Sequence, residues 1–165
     1  MADQKIPMTP KGLQSLKDEL KRRKETDRYK IVKAIEEARA HGDLSENADY
    51  SAAKEAQSHN EGHINLLEAM IALSNVIDPA TLSGDKIVFG ATVKLTDAES
   101  EETIVYSIVG EHEADIKSGR IAITAPLARA LIGREVGDTV QWRTPKGGQR
   151  EYEITEVKFL PSEGE

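Results

Sequence analysis

The sequence has no cysteine and no long apolar run, and each absence excludes a class of protein or site. Without cysteine, disulfides, a thiolate nucleophile and thiolate zinc sites are excluded. No apolar stretch approaches the roughly 18 residues that a membrane-spanning helix needs. The first ten residues also lack the apolar core of a signal peptide. We therefore expect a cytoplasmic protein with no membrane partner.

An excess of positive charge is missing as well. The net charge is −7, and neither half of the chain is net positive. Proteins that bind nucleic acid by themselves neutralise its phosphates with clustered Lys and Arg, so the composition argues against an independent nucleic-acid binder. A hydrophobic content of 38% in 165 residues predicts a folded chain with one domain or two small ones.

The first half of the chain has helical periodicity. From Thr9 to about Ser74 there is no proline after Pro10, and apolar residues recur three and four positions apart. Thr9 and Pro10 predict an N-cap and a first helical residue, and His41–Asp43 predicts a turn. Two apolar stripes flank this turn: Leu13, Leu16, Leu20, Ile31, Ala34 and Ala38 before it, and Tyr50, Ala53, Ile64, Leu67 and Ile71 after it.

If the chain folds back at this turn, residues equally distant from it meet, because both helices rise about 1.5 Å per residue. Apolar residues then face apolar ones, as Ala34 faces Tyr50, and polar residues face polar ones, as Lys24 faces Asn60. This agreement predicts an antiparallel two-helix coiled coil with arms of about 45 Å. A dimerising coiled coil is the alternative.

The second half has the alternation of β-strands. After Pro79, segments rich in Val, Ile and Thr alternate apolar and polar residues between glycine and proline turns. These segments are IVFGATVKL, ETIVYSIVG, GRIAIT, TVQWRT and REYEITEVKF, and APLARALIG predicts a short helix ending at Gly133. The expected fold class is α+β. It comprises a coiled-coil domain over 1–78, a linker over 79–85, and a small antiparallel β-sheet domain with one short helix over 86–165.

Three carboxylates lie at the predicted tip, in the sequence HGDLSENADY: Asp43, Glu46 and Asp49. One interpretation is structural, because Asp43 and Glu46 have the spacing of a capping box and acids suit a helix N-terminus. The other is that carboxylates on a long arm hold a metal inside another protein. Magnesium is usually held by one or two carboxylates plus substrate phosphates, and a second ion can activate water in phosphodiester chemistry. The two interpretations do not exclude each other.

Six segments carry a family resemblance: IPMTPKGLQSLKDEL, ARAHGDLSENADYSAAKE, IVFGATV, IVGEHEAD, APLARALIGREVGD and EYEITEV. In this order, from Ile6 to about Leu160, they resemble the Gre transcription elongation factors of the GreA type. The resemblance implies an N-terminal antiparallel coiled coil and a C-terminal domain similar to FKBP proline isomerases. It also implies binding in the secondary channel of bacterial RNA polymerase and stimulation of the polymerase's own cleavage of the RNA 3′ end in backtracked complexes.

The resemblance further assigns roles by motif position. Asp43 and Glu46 match the tip acids that hold a second Mg²⁺, which is shared with the polymerase and not bound stably by the factor alone. The factor would then be a cofactor in trans and not an enzyme. The other assignments are tip contacts for Leu44, Asn47 and Tyr50, RNA phosphate contacts for Arg39 and Lys54, and polymerase docking for Pro126, Leu127 and Arg129.

Three functions therefore compete: a cleavage factor, a polymerase inhibitor of the anti-Gre type, and an isomerase-like protein or coiled-coil adaptor. The motif GDLSENADY matches the cleavage-competent pattern of the family. An isomerase pocket is normally lined by aromatic residues, whereas those of the second half sit at alternating strand positions that a small core would use. Solvated helix faces are the alternative for Arg39 and Lys54. The expected partners are RNA polymerase and the nascent RNA 3′ end, and the expected state is a monomer.

Overall fold

The computed structural model describes residues 4–43 and 47–161, which divide into two compact units. The first unit contains Leu13–Ser74, and the second combines Lys5–Gly12 with the chain from Asn75 onward. The segment Lys5–Gly12, predicted to lie in the N-terminal domain, thus belongs to the second unit. Within the described ranges, no helix is both long and apolar enough to cross a membrane.

The first unit is a helical hairpin. Its first arm consists of α1 (Pro10–Arg22), a π-helical segment (Arg23–Asp27) and α2 (Arg28–Arg39), and its second arm is α3 (Ala48–Ala72). The residues buried between the arms are Leu16, Ile35, Ala38, Ala53, Asn60, Ile64 and Leu67. The predicted two-arm hairpin is therefore confirmed.

The π-helical segment shifts the buried stripe of the first arm. Arg28 N–H donates to the carbonyl of Arg23, five residues back, and such a turn holds one more residue than an α-turn. Beyond it Ile35 is buried, whereas Ala34 is exposed. The prediction that Ala34 belongs to the buried stripe opposite Tyr50 is therefore wrong, because strict α-helical spacing omits the extra residue.

A polar bridge crosses the middle of the hairpin. Asn60 is only 4% exposed. Its Nδ2 donates to the Arg23 carbonyl at 3.0 Å, and its Oδ1 accepts from Arg23 Nη1 at 3.1 Å. Lys24, the predicted partner of Asn60, instead forms an ion pair with Glu68 at 2.9 Å. The prediction therefore identified the polar position on the second arm but missed its partner by one residue.

A second cross-arm contact joins Arg28 to Glu61. Arg28 Nε and Nη2 donate to the two oxygens of Glu61 at 2.9 and 2.8 Å. This hydrogen bonding lowers the pKa of the Glu61 carboxyl and raises the pKa of Arg28, against the opposing effect of partial desolvation. The geometry is bidentate, which fixes the relative position of the two side chains.

The second unit is built on β-sheets. A two-stranded sheet pairs β1 (Ile6–Met8) with β2 (Ser74–Val76). The main sheet contains β3 (Thr92–Asp97), β4 (Thr103–Val109), β5 (Arg120–Ala122), β6 (Thr139–Arg143) and β7 (Gln149–Lys158), in the order β5-β4-β3-β7-β6. One short helix, α4 (Pro126–Leu131), and 3-10 turns at 79–81, 111–113 and 116–118 complete the unit.

The main sheet is mixed, whereas the sequence predicted an antiparallel one. Strand β5 runs parallel to β4, with Ser107 opposite Arg120 and Val109 opposite Ala122. The other neighbouring strands are antiparallel. The two 3-10 turns between β4 and β5 bring the chain back beside β4. Alternation within a strand identifies the strand but not the direction of its neighbour, so the sequence pattern could not show this pairing.

The core of the second unit lies between α4 and the sheet. Its fully buried members include Ile87, Val93, Leu95, Ile108, Ala128, Leu131 and Ile154. Tyr152 is buried in the same cluster, and Tyr106, Trp142 and Phe159 pack against it. These aromatic side chains therefore serve the core of the unit.

Glu113 holds the start of α1 within the second unit. Thr9 caps the helix as predicted, since its hydroxyl oxygen accepts from Gly12 N–H at 3.1 Å. The Glu113 carboxylate accepts from Thr9 N–H at 3.0 Å, from the Thr9 hydroxyl, and from Gly110 N–H at 3.1 Å. A Cβ at position 12 would overlap the Glu113 carboxyl group, so glycine is required there for this contact.

Candidate functional site at the hairpin tip

The first arm ends in a tight turn. His41 N–H donates to the Ala38 carbonyl at 3.2 Å, and Gly42 N–H donates to the Arg39 carbonyl at 3.3 Å. Gly42 has a φ of +108°, a backbone conformation that side chains with a Cβ rarely adopt. Asp43 follows this turn and is exposed. The chain therefore turns where the sequence predicted.

Asn47, rather than Asp43, caps the second arm. Helix α3 begins at Ala48, and Asn47 Oδ1 accepts from Tyr50 N–H at 3.0 Å. A capping box on Asp43 would require the helix to begin immediately after Asp43, but Asp43 precedes the actual cap by four positions. Asn47 is therefore the cap of α3, a role that was not predicted from the sequence pattern, and Glu46, the second member of the predicted capping box, lies outside the described residues.

Asn47 also contacts the first arm. Its Nδ2 donates to the carbonyl of Ala38 at 2.7 Å, so one side chain is bonded to both helices. The Tyr50 side chain is half-buried. The two other predicted tip residues, Leu44 and Glu46, lie outside the described residues.

The charged residues around the tip are on the surface. His41 Nδ1 lies 3.9 Å from Asp49 Oδ2, and both side chains are exposed. Arg39 is exposed at the end of α2, and Lys54 Nζ donates to Gln57 Oε1 at 2.9 Å on α3. The partner of Lys54 in this hydrogen bond is a neutral amide, so the bond does not compensate the positive charge of Lys54.

Asp43 has the chemistry of a magnesium ligand. No group of three histidine or carboxylate side chains in 4–43 and 47–161 is arranged to hold a metal. Magnesium, however, is commonly held by only one or two protein carboxylates, with the remaining ligands supplied by water and phosphate. Asp43 at the exposed turn is a donor of this kind, and a partner would have to supply the rest.

The predicted docking residues on α4 fall on different faces. Pro126 and Arg129 are exposed, whereas Leu127 is 5% exposed and packs in the core with Ala128 and Leu131. A short amphipathic helix on a sheet buries one face and exposes the other. Leu127 therefore belongs to the buried face and is not available for a direct contact.

Comparison with known proteins agrees with this architecture. The family model described as "Transcription elongation factor, N-terminal" matches residues 6–76. The model described as "Transcription elongation factor, GreA/GreB, C-term" matches residues 82–159. The chain therefore belongs to the GreA/GreB family of transcription elongation factors.

Within this family the chain is of the GreA type. It is 58% identical over 157 residues to the transcription elongation factor GreA of Bartonella tribocorum, covering 95% of this chain and 99% of the relative. The corresponding protein of Mesorhizobium japonicum is 59% identical over 156 residues, covering 94% of this chain and 99% of the relative.

Two solved structures are also similar. The GreA factor homolog 1 (Gfh1) of Thermus thermophilus is 27% identical, with 93% of this chain and 99% of that chain covered and a TM-score of 0.42. The elongation factor GreA/GreB of Nitrosomonas europaea is 31% identical, with 64% and 87% covered and a TM-score of 0.42.

Proposed function

We propose that this factor stimulates RNA cleavage by a bacterial RNA polymerase in backtracked, arrested complexes. The hairpin enters the secondary channel and presents tip carboxylates, while the polymerase performs the cleavage, so the factor is a cofactor in trans. The observation that carries this proposal is that Asp43 lies at the exposed turn of the hairpin while the cap of α3 belongs to Asn47. Membership of the family supports the transcription machinery as the partner.

The shape of the first arm supports entry into a narrow channel. An arm running from Pro10 to Arg39 has a length of about 45 Å at 1.5 Å per residue. The bridges from Arg23 to Asn60 and from Arg28 to Glu61 join the arms near the middle of this length. A hairpin tied together in this way can carry a side chain to a defined position far from its base.

Asp43 and Glu46 would hold a Mg²⁺ ion shared with the polymerase. When bound, such an ion supplies an activated water for phosphodiester hydrolysis. The chain's own contribution is to place the carboxylates and their negative charge. Arg39 and Lys54 would meet RNA phosphates beside the tip, and Leu44 and Tyr50 would line the contact with the polymerase.

The second unit would dock on the polymerase surface. Pro126 and Arg129 remain candidate contacts because both are exposed on α4, and Ile132, just after this helix, is 38% exposed. A monomer acting in the bacterial cytoplasm is part of this proposal, since one hairpin occupies one channel.

The test is RNA release from a stalled, backtracked polymerase in the presence of Mg²⁺. Asp43→Asn should slow cleavage at least about 10- to 100-fold, because losing even a group that only orients a metal ligand has effects of that size. Its helical circular dichroism should be unchanged, since Asn47 caps α3. Asp49→Asn removes the same charge from the first turn of α3 and is the matched control.

The outcomes separate the competing functions. The proposal is supported if Asp43→Asn binds the polymerase normally but cleaves slowly, while Asp49→Asn cleaves at the wild-type rate. Equal cleavage by wild type and Asp43→Asn would exclude a role for this carboxylate. If the wild-type factor binds but suppresses cleavage, it is an inhibitor on the same scaffold.

A further inference from the structure

Asn47 satisfies one backbone group in each arm of the hairpin. Its Oδ1 accepts from Tyr50 N–H at 3.0 Å, and its Nδ2 donates to the Ala38 carbonyl at 2.7 Å. The first N–H groups of a helix and its last C=O groups have no partner within the helix. A single neutral side chain therefore bonds one such N–H group at the start of α3 and a carbonyl near the end of α2.

The bond to Ala38 closes the base of the tip loop. Residues 39–46 lie between Ala38 and Asn47 in the chain, and Asp43 is near the middle of them. Ala38 is 2% exposed, and its carbonyl also accepts from His41 N–H at 3.2 Å. Joining the two ends of so short a segment restricts where its described residues, Asp43 among them, can lie.

We propose that Asn47 is a positioning residue for cleavage, whose bond to Ala38 fixes where the tip presents Asp43. This inference rests on the proposed function. It differs from a tip contact, because it requires no contact between Asn47 and the polymerase. It also gives the two bonds of Asn47 separate roles: the oxygen starts α3, and the nitrogen holds the tip loop to α2.

Serine at position 47 separates these two roles. Serine is a strong N-cap residue and retains an oxygen for Tyr50 N–H, but its side chain is too short to keep the asparagine bond to Ala38 as well. Asn47→Ala removes both bonds. Asn65→Ser makes the same change at an exposed position of α3 and is the matched control.

Three measurements are made on each full-length variant: binding to RNA polymerase, the rate of RNA release at saturating factor, and amide hydrogen exchange in the free protein. For Asn47→Ser we expect unchanged polymerase binding and cleavage about tenfold slower, the low end of the range for losing a group that orients a metal ligand. The amides of His41 and Gly42 should exchange faster, because the loop that contains them loses its closing bond. Asn65→Ser should match wild type in all three measurements.

Combining Asn47→Ser with Asp43→Asn tests whether both residues act through the same carboxylate. We expect no further loss beyond that of Asp43→Asn, because coupled residues have non-additive effects. If Asn47→Ser cleaves at the wild-type rate while Asp43→Asn cleaves slowly, the positioning role is overturned and the proposed function stands. Fully additive losses, or a loss explained by weaker polymerase binding, would also overturn it. Wild-type cleavage by Asp43→Asn would overturn both.

Discussion

The buried bridge between Asn60 and Arg23 makes a measurable contribution to hairpin stability. Asn60→Ala removes one bond to a carbonyl at 3.0 Å and one from a guanidinium at 3.1 Å. A neutral hydrogen bond contributes about 0.5–1.5 kcal/mol net, and one to a charged group about 1.5–3 kcal/mol. The two together give an expected loss of about 2–4.5 kcal/mol in the free energy of unfolding.

Asn65→Ala is the control for this change. It lies on the exposed face of the same helix, so both variants gain the same helix propensity, about 0.6 kcal/mol for alanine over asparagine. Their difference therefore isolates the bridge. Urea unfolding followed by circular dichroism at the helix band gives this difference directly, provided that the free energy of unfolding falls with urea concentration at the same slope in both variants.

The variant Asn60→Leu tests whether a polar side chain at position 60 is needed for hairpin stability. Replacing both partners of a buried polar contact by apolar groups can be nearly neutral, but Asn60→Leu replaces one partner only and leaves the Arg23 groups that it bonded. A buried asparagine in a coiled coil also fixes the register of the helices. We expect Asn60→Leu to recover packing lost in Asn60→Ala but to stay less stable than wild type. Equal urea midpoints for Asn60→Ala and Asn65→Ala would refute the bridge as a source of stability.

Two further predictions concern Glu113 and Glu61. Gly12→Ala should destabilise the wild type, because the new Cβ overlaps the Glu113 carboxyl group. In a Glu113→Ala background the same change should stabilise, by no more than the roughly 1 kcal/mol by which alanine exceeds glycine in helix propensity in a helix interior. Thermal unfolding of the four proteins checks this reversal, and the same sign in both backgrounds would contradict it. The bond from Arg28 lowers the pKa of Glu61 below its ordinary 4.5, so the stability that this contact adds is present above pH 4.5 and disappears as the pH falls through the lowered value. The urea midpoints of wild type and Glu61→Gln should therefore differ at pH 7 and converge in acid, and a difference that grows in acid would show that the sign is wrong.

The hairpin and the strands could be predicted because each has a regular period in the sequence. Leu16, Ala38, Ile64 and Leu67 were placed on the buried face by helical spacing alone, and they are buried. The exception is Ile35. Its burial depends on the π-helical turn before it, and the carbonyl of that turn is bonded to Asn60 on the other arm. A contact between distant parts of the chain is not visible in a local period.

Glu113 was missed for the same reason. It lies 104 positions from Thr9, yet it accepts hydrogen bonds from both the backbone and the side chain of that residue. The sequence around Glu113 is an acidic loop without a pattern of its own. Gly12 was the available signal, because glycine is a poor helix former relative to alanine and its presence at the start of a helix needs a reason. Here the reason is the close approach of the Glu113 carboxylate.

At the tip, two residues satisfied the local rules for a helix cap, and the structure distinguishes them by a non-local bond. Asp43 followed by Glu46 has the form of a capping box, and Asn47 is an equally good cap residue. Only a cap at Asn47 places an amide N–H group against the carbonyl of Ala38. The consequence is functional as well as structural. Since a neutral amide caps α3, a loss of cleavage in Asp43→Asn with unchanged helical circular dichroism would report on the carboxylate itself.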